Sequence, residues 1–104
     1  MKIVGVAACT SGIAHTYIAK EKLIKAAKSL GHEIWIETQG TIGVEDALTT
    51  NQIRDADVVV LAIDIQISGK ERFSGKKVIE IPTGRVIKSP VKIIEKIAEM
   101  INEA

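Results

Sequence analysis

The sequence predicts an α/β fold of three layers, α-β-α: a four-stranded parallel sheet, Rossmann-like, with helices on both faces. Three observations predict it. Short apolar runs alternate with helical periods in the order β-α-β-α-β-(α)-β-α. The strand-like runs have almost no polar face, as expected of parallel strands covered on both sides. Ile and Val together supply 27 of 104 residues, and 46% of the chain is apolar. That is enough for one buried core, so the reading is a single domain over residues 1–104 and not a disordered chain.

The elements follow in order. Residues 2–8 (KIVGVAA) read as a buried, β-branched strand, and residues 9–12 (CTSG) break its pattern. From Ile13 to Leu30 the period turns helical. Ala19, Leu23, Ala27 and Leu30 share one stripe, while Lys20, Lys22, Lys25 and Lys28 point elsewhere. Gly31 is placed to stop this helix. Residues 33–38 (EIWIET) form the second strand, and Gln39 to Leu48 read as a loop hinged at Gly40 and Gly43. Thr49 to Asp55 read as a short helix, with Thr49 and Gln52 at capping-box spacing. Residues 57–63 (DVVVLAI) have no polar face beyond Asp57, the mark of a central strand. One helical turn is expected around Glu71-Arg72-Phe73, between Gly69 and Gly75. Residues 77–81 (KVIEI) make the fourth strand. Ser89 then caps a helix that has Pro90 at its first position. That helix runs to about Asn102, with Val91, Ile94, Ile97, Ala98 and Ile101 on one face.

Composition excludes several functions. Fourteen basic residues oppose 13 acidic ones, for a formal charge of +1, which gives no footprint for nucleic acid or an acidic membrane. One Trp, one Tyr and one Phe cannot build a base-stacking surface. A single cysteine, Cys9, excludes an internal disulfide and a multi-cysteine metal cluster. His15 and His32 add little toward a zinc site, so no metal and no cofactor are expected. No signal peptide is expected, because the apolar run after Met1-Lys2 is too short for one, and no stretch comes near the ~18 apolar residues of a membrane helix. A cytoplasmic location is expected, with any membrane role exercised through a partner.

Chemistry concentrates at Cys9. In open parallel sheets ligands bind beyond the carboxyl ends of the strands, and Cys9 stands at such an end, just before a helix. The helix start offers unpaired N–H groups and the positive end of the macrodipole. Both favour an anion, whether a thiolate or a phosphoryl group. Gly12 allows a tight turn with no side chain crowding the cradle, and Thr10, Ser11 and Thr16 add hydroxyl donors. A lone Cys is often inert core filler, but filler would sit within the strand, as Val6 and Ala7 do. Cys9 and His15 frame a C-x5-H spacing. Cysteine phosphatases, whose strand-loop-helix arrangement this fold would share, use C-x5-R, where Arg clamps phosphate with two bonds. His15 cannot make that fork, and no Asp-Pro pair is present as a mobile acid. The loop suits holding a phosphoryl group on sulfur better than hydrolysing it, so it reads as a carrier.

The run Cys9-Thr10-Ser11-Gly12-Ile13-Ala14-His15-Thr16, then Glu37-Thr38-Gln39-Gly40, then Asp55-Ala56-Asp57-Val58-Val59-Val60-Leu61-Ala62, resembles the fructose-specific IIB component of the bacterial phosphoenolpyruvate-dependent sugar phosphotransferase system. Arg72-Phe73 and Gly75-Lys76 extend the resemblance over nearly the whole chain. Thr10 departs from the proline frequent in that family. The resemblance implies that Cys9 takes a phosphoryl group from a phosphohistidine on a IIA protein or domain. Cys9 would pass it to a sugar held by the membrane-embedded IIC permease, fructose being the expected sugar and mannose-type or mannosyl-glycerate substrates the alternatives within the system. Residues Thr10, Ser11, Gly12, Ile13, Ala14, His15 and Thr16 would form the phosphoryl-binding loop. The protein would lie at the inner face of the membrane through its IIC partner.

Other residues are expected at the margin of this site. Glu37 and Gln39 end the second strand on the Cys9 edge, where they would touch the loop or a partner. Asp64 ends the third strand on the same edge, and Arg72 could meet an acidic partner surface. His32 lies at the opposite end, and Trp35 and Phe73 read as core or rim. The competing readings are a small cysteine phosphatase or arsenate reductase using the same loop, and a dinucleotide-binding module. The first lacks the Arg and, for a reductase, a resolving thiol. The second lacks G-x-G-x-x-G.

Overall fold

The computed structural model describes residues 1–9, 13–40 and 43–103, with the backbone alone for Ile13, Ala14 and Glu103. Five strands, β1 (Lys2–Ala8), β2 (Glu33–Gly40), β3 (Gly43–Glu45), β4 (Val58–Ile63) and β5 (Val78–Ile81), form one sheet in the order β3-β2-β1-β4-β5. All pair in parallel except β3, which is antiparallel to β2. Parallel β1 and β4 are buried on both faces, which is why their sequences carry no alternation.

The two-residue period of the strands splits the core into two layers. Ile3, Ala7, Ile34, Ile36, Val58, Val60 and Ala62 face one side, against α1 (Ile13–Ser29), α3 (Thr83–Lys88) and α4 (Pro90–Glu103). Ala19, Leu23 and Ala27 from α1, Val86 from α3, and Ile94 and Ile97 from α4 close that layer. Val4, Val6, Val59 and Leu61 face the other side, against Leu48, Ile53 of α2 (Thr50–Asp55) and Phe73 of a 3-10 turn (Lys70–Phe73). Gly5 marks the tightest point of the sheet. A Cβ there would stand 2.3 Å from the Val60 carbonyl oxygen, so the strand crossing tolerates no side chain.

The short helix α2 is capped as its spacing predicts. The Thr49 hydroxyl accepts from the Gln52 N–H, and the Gln52 side chain accepts from the Thr49 N–H. Two expectations need correction. The segment read as a loop from Gln39 to Leu48 contains the end of β2 and the three-residue strand β3, so the sheet has five strands and is mixed, not four and parallel. Gly40 pairs with Gly43 in this hairpin. The two residues between them, Thr41 and Ile42, are not the Asn-Gly type that signals a hairpin in sequence, and they lie outside the described residues. The second correction is α3, six residues containing Gly84 directly after Pro82. It is too short for a helical period to register.

Candidate functional site

The carboxyl ends of β1, β4 and β5 build the site. Along β1 the side chains of Ile3 and Ala7 face α1, and the same period carries Cys9 to that face. Along β4 it carries Asp64 there after Val60 and Ala62. The Asp64 N–H donates to the Ala8 carbonyl at 3.0 Å, which extends the ladder by one rung and holds Asp64 beside Cys9. From the first turn of α1, His15 reaches back over the strand end. Its Nδ1 lies 3.2 Å from the Cys9 Sγ. Thr83, the first residue of α3 and fully buried, fills the remaining side. Its hydroxyl donates to Asp64 Oδ2 at 2.5 Å and its N–H to Oδ1 at 3.0 Å, while its Oγ1 also lies 3.3 Å from His15 Nδ1.

The electrostatics follow from these bonds. The Thr83 hydroxyl, with the Thr83 N–H, the Cys9 side chain and the His15 ring, holds the Asp64 carboxyl below its ordinary value, against a smaller opposing push from burial. Asp64 is therefore ionised at neutral pH. Cys9 itself is 8% exposed, a thiol set into the surface rather than raised above it. The ligating atoms of Cys9, His15 and Asp64 lie within 4.8 Å of one another, so these three could offer a metal one thiolate, one imidazole and one carboxylate. Counting cysteines and histidines along the sequence does not reveal such a mixed set. Beside Asp64 opens a cleft of about 720 Å³, walled by Ile63, Ile65, Ile67 and Ile81 and crossed by the Lys70–Glu80 ion pair at 2.6 Å.

The other residues singled out in the sequence are placed differently. Thr10, Ser11 and Gly12 lie outside the described residues, and Ile13 and Ala14 are described as the first backbone turn of α1. Thr16 is buried, and its hydroxyl has no hydrogen-bond partner among the described residues. Glu37, Gln39 and Arg72 do not join Cys9. They share a network on the opposite face of the sheet. Arg72 grips Glu37 with two bonds of 2.7 and 2.9 Å, lies 4.8 Å over the Phe73 ring, and donates from Nε to the Gly69 carbonyl at 2.7 Å. Arg72, expected to meet an acidic partner surface, thus meets an acid inside the chain. Gly69 has φ +75°, and a Cβ there would press on the guanidinium at 2.9 Å. Gln39 donates to Glu37 at 2.8 Å and exchanges two bonds of 2.9 Å with the Ser68 backbone. The Leu48 N–H donates to Glu37 at 3.0 Å. Burial pushes the Glu37 carboxyl up, but Arg72, Gln39 and the Leu48 N–H together hold it below the ordinary value. At the far end of the sheet His32 Nδ1 faces the Met1 nitrogen at 3.3 Å. Trp35 packs half-buried and Phe73 fully buried in the second core layer.

Thr83 is the site residue that sequence reasoning missed. Its nearest signal was position: it follows the last strand of the sheet, at the edge where Cys9 and Asp64 end theirs.

Comparison with known proteins gives this arrangement a family. The family model described as PTS system, Lactose/Cellobiose specific IIB subunit, matches residues 4–96. The PTS system fructose-like EIIB component 2 of Escherichia coli is 46% identical over 96 residues, covering 92% of this chain and 91% of that component. The PTS system fructose-specific EIIABC component of Bacillus subtilis is 44% identical over 91% of this chain, which spans 15% of that longer protein. Among solved structures, the enzyme IIB subunit of the PTS system from Escherichia coli superposes with a TM-score of 0.92 at 36% identity, covering 98% of this chain and 94% of that one. These matches weigh against the phosphatase, arsenate reductase and dinucleotide alternatives. With its fold and nearly its whole length matched, the chain belongs to the IIB family of the phosphotransferase system.

Proposed function

We propose that this chain is a phosphoryl carrier that takes a phosphoryl group from a phosphohistidine on a fructose-type IIA protein or domain. The group rests on Cys9 and then passes to a sugar, of the fructose type, held by a membrane IIC permease. The observation that carries the reading is the Cys9–His15 pair, a thiol at a strand's carboxyl end with an imidazole nitrogen 3.2 Å away, where α1 begins. Relatives named for fructose, and a relative in which the matching segment is part of an EIIABC chain, support the sugar and the two partners.

In the first step the Cys9 sulfur attacks phosphorus in line. The S–P bond forms as the P–N bond breaks, and the donor imidazole leaves with the electron pair and takes up the proton that the Cys9 thiol gives up. In the second step a sugar hydroxyl attacks the same phosphorus, the S–P bond breaks, and Cys9 recovers the electron pair while the hydroxyl proton leaves to a base on the acceptor side. The backbone N–H groups of Thr10, Ser11, Gly12, Ile13 and Ala14 would neutralise the equatorial oxygens without a metal, and the Thr16 hydroxyl would add a donor. The cleft beside Asp64 gives a partner protein a surface next to the thiol. The 104 residues act as one IIB unit at the cytoplasmic face of the membrane, held there through IIC. No helix among the described residues is long and apolar enough to cross a membrane.

The test is intact-protein mass spectrometry after incubation with phosphoenolpyruvate, the general phosphotransfer proteins and a fructose-type IIA. One phosphoryl addition on the wild type and none on Cys9→Ser is the expected result. No addition while the IIA itself becomes phosphorylated would overturn the reading.

A further inference from the structure

Hydrogen-bond direction in the Cys9 cluster carries a second conclusion, which rests on the carrier reading only for its kinetic consequence. An ionised carboxylate accepts and cannot donate. Asp64 therefore receives the single proton of the Thr83 hydroxyl at 2.5 Å and, through its other oxygen, the Thr83 N–H at 3.0 Å. With that proton committed, Thr83 Oγ1 can only accept from His15 Nδ1, 3.3 Å away. The hydrogen must then sit on Nδ1, which also lies 3.2 Å from the Cys9 sulfur, so the one N–H is shared between the two acceptors.

We propose that Asp64 and Thr83 are positioning residues that set the tautomer of His15, so that its Nδ1–H is a donor aimed at the Cys9 sulfur. The chain Asp64···H–O–Thr83···H–Nδ1–His15 has one polarity because one end is acceptor-only. A histidine held this way does not remove the Cys9 proton through Nδ1. It stabilises negative charge on sulfur, both when the thiolate attacks phosphorus and when it leaves as the phosphoryl group moves on. Fixing the donor on a fully buried threonine and a strand-end aspartate lets the ring hold its direction while the group on sulfur changes.

The proposal is tested by long-range ¹H–¹⁵N correlation spectra of the two histidine rings, recorded where both are neutral, on the wild type and on Asp64→Asn, Thr83→Ser and Thr83→Val. Asparagine can donate to Thr83, which reverses the chain and makes the Thr83 hydroxyl the donor to Nδ1. The expected result is an Nδ1–H pattern for His15 in the wild type and in Thr83→Ser, and an Nε2–H pattern in Asp64→Asn. His32, at the far end of the sheet, should not change. An Nε2–H pattern in the wild type, or an unchanged His15 pattern in Asp64→Asn, overturns the proposal. Should Asp64→Asn fail to fold, the Thr83 pair decides: Ser must keep the wild-type pattern, Val must lose it, and any other outcome refutes the assignment. In phosphoryl loading by the IIA donor, Asp64→Asn and Thr83→Val should slow about ten-fold or more, with Thr83→Ser close to wild type. A correct tautomer pattern with no loading of the wild type would refute the carrier reading alone. Normal loading with the wrong tautomer would refute this inference alone.

Discussion

The molecule holds two carboxylates at the same edge of its sheet, and they are built in opposite ways. Glu37 points to the face of α2 and the 3-10 turn. It is 1% exposed and closed by a two-bond Arg72 grip, Gln39 and the Leu48 N–H. Asp64 points to the face of α1, is exposed, and among the described residues is held not by a guanidinium but by the hydroxyl and N–H of Thr83, the Cys9 side chain and the His15 ring. The first network ties two connections to the end of β2: Gln39 holds Ser68 and Arg72 holds Gly69 in the loop after β4, and Glu37 holds Leu48 in the loop before α2. The second surrounds the Cys9 thiol and stays open to the cleft. Glu37 is thus a fully paired buried charge, whereas Asp64 is a carboxylate bonded to a hydroxyl and an N–H at an open strand end.

The largest way to break this comparison is Cys9→Ser, which should abolish phosphoryl loading in the mass measurement while the urea midpoint stays near wild type, because the Glu37 clasp is untouched. Arg72→Ala should do the reverse. It leaves Glu37 buried without its cation and should cost about 3–5 kcal/mol in urea unfolding, with the His15 tautomer unchanged in the molecules that remain folded. A loss under about 1 kcal/mol would mean that water replaces the guanidinium and that the clasp is not a buried pair.

Acid sharpens the same contrast. The Glu37 carboxyl lies lower in the folded chain than its unfolded value of about 4.3. Its contribution is therefore complete above that value and lost as pH falls through the folded pKa. The wild type should lose stability below about pH 4, and Glu37→Gln, less stable at neutral pH, should lose less on acidification. Equal acid slopes would reject the clasp as the pH-sensitive element. On the other face, His15→Ala should slow loading by about ten-fold or more through loss of the sulfur donor and still unfold cooperatively. Loss of cooperative unfolding would make His15 structural. The smallest effect should come from Thr38→Val. The Thr38 hydroxyl is buried with no partner among the described residues, so stability should change by about 1 kcal/mol or less, in the favourable direction.

Much of this was legible in the linear chain because it rests on local rules. The alternation of strand runs with helical periods named the fold class. Thr49 and Gln52 announced their capping box. The position of Cys9 after a buried strand and before a helix marked the reactive end, and the Cys9-to-Thr16 run carried the family resemblance that the matches over residues 4–96 support. What stayed hidden has a common cause. Strand β3 and helix α3 have three and six residues, too few for a period to emerge. Arg72 lies 35 positions from Glu37 and Thr83 lies 68 from His15, so no window along the chain contains either pair.

By itself, then, the sequence determined the layers and singled out the strand end and the thiol proposed to carry the phosphoryl group, because periodicity, capping and turn chemistry act over a few residues. Tertiary structure alone decided which charged and hydroxyl groups surround that thiol. The two-residue period of the strands sends Cys9 and Asp64 to one face and Glu37 and Gln39 to the other, and the packing of α3 onto the first face brings Thr83 to Asp64. Those partnerships depend on strand order and crossover in three dimensions, which single-residue preferences do not encode.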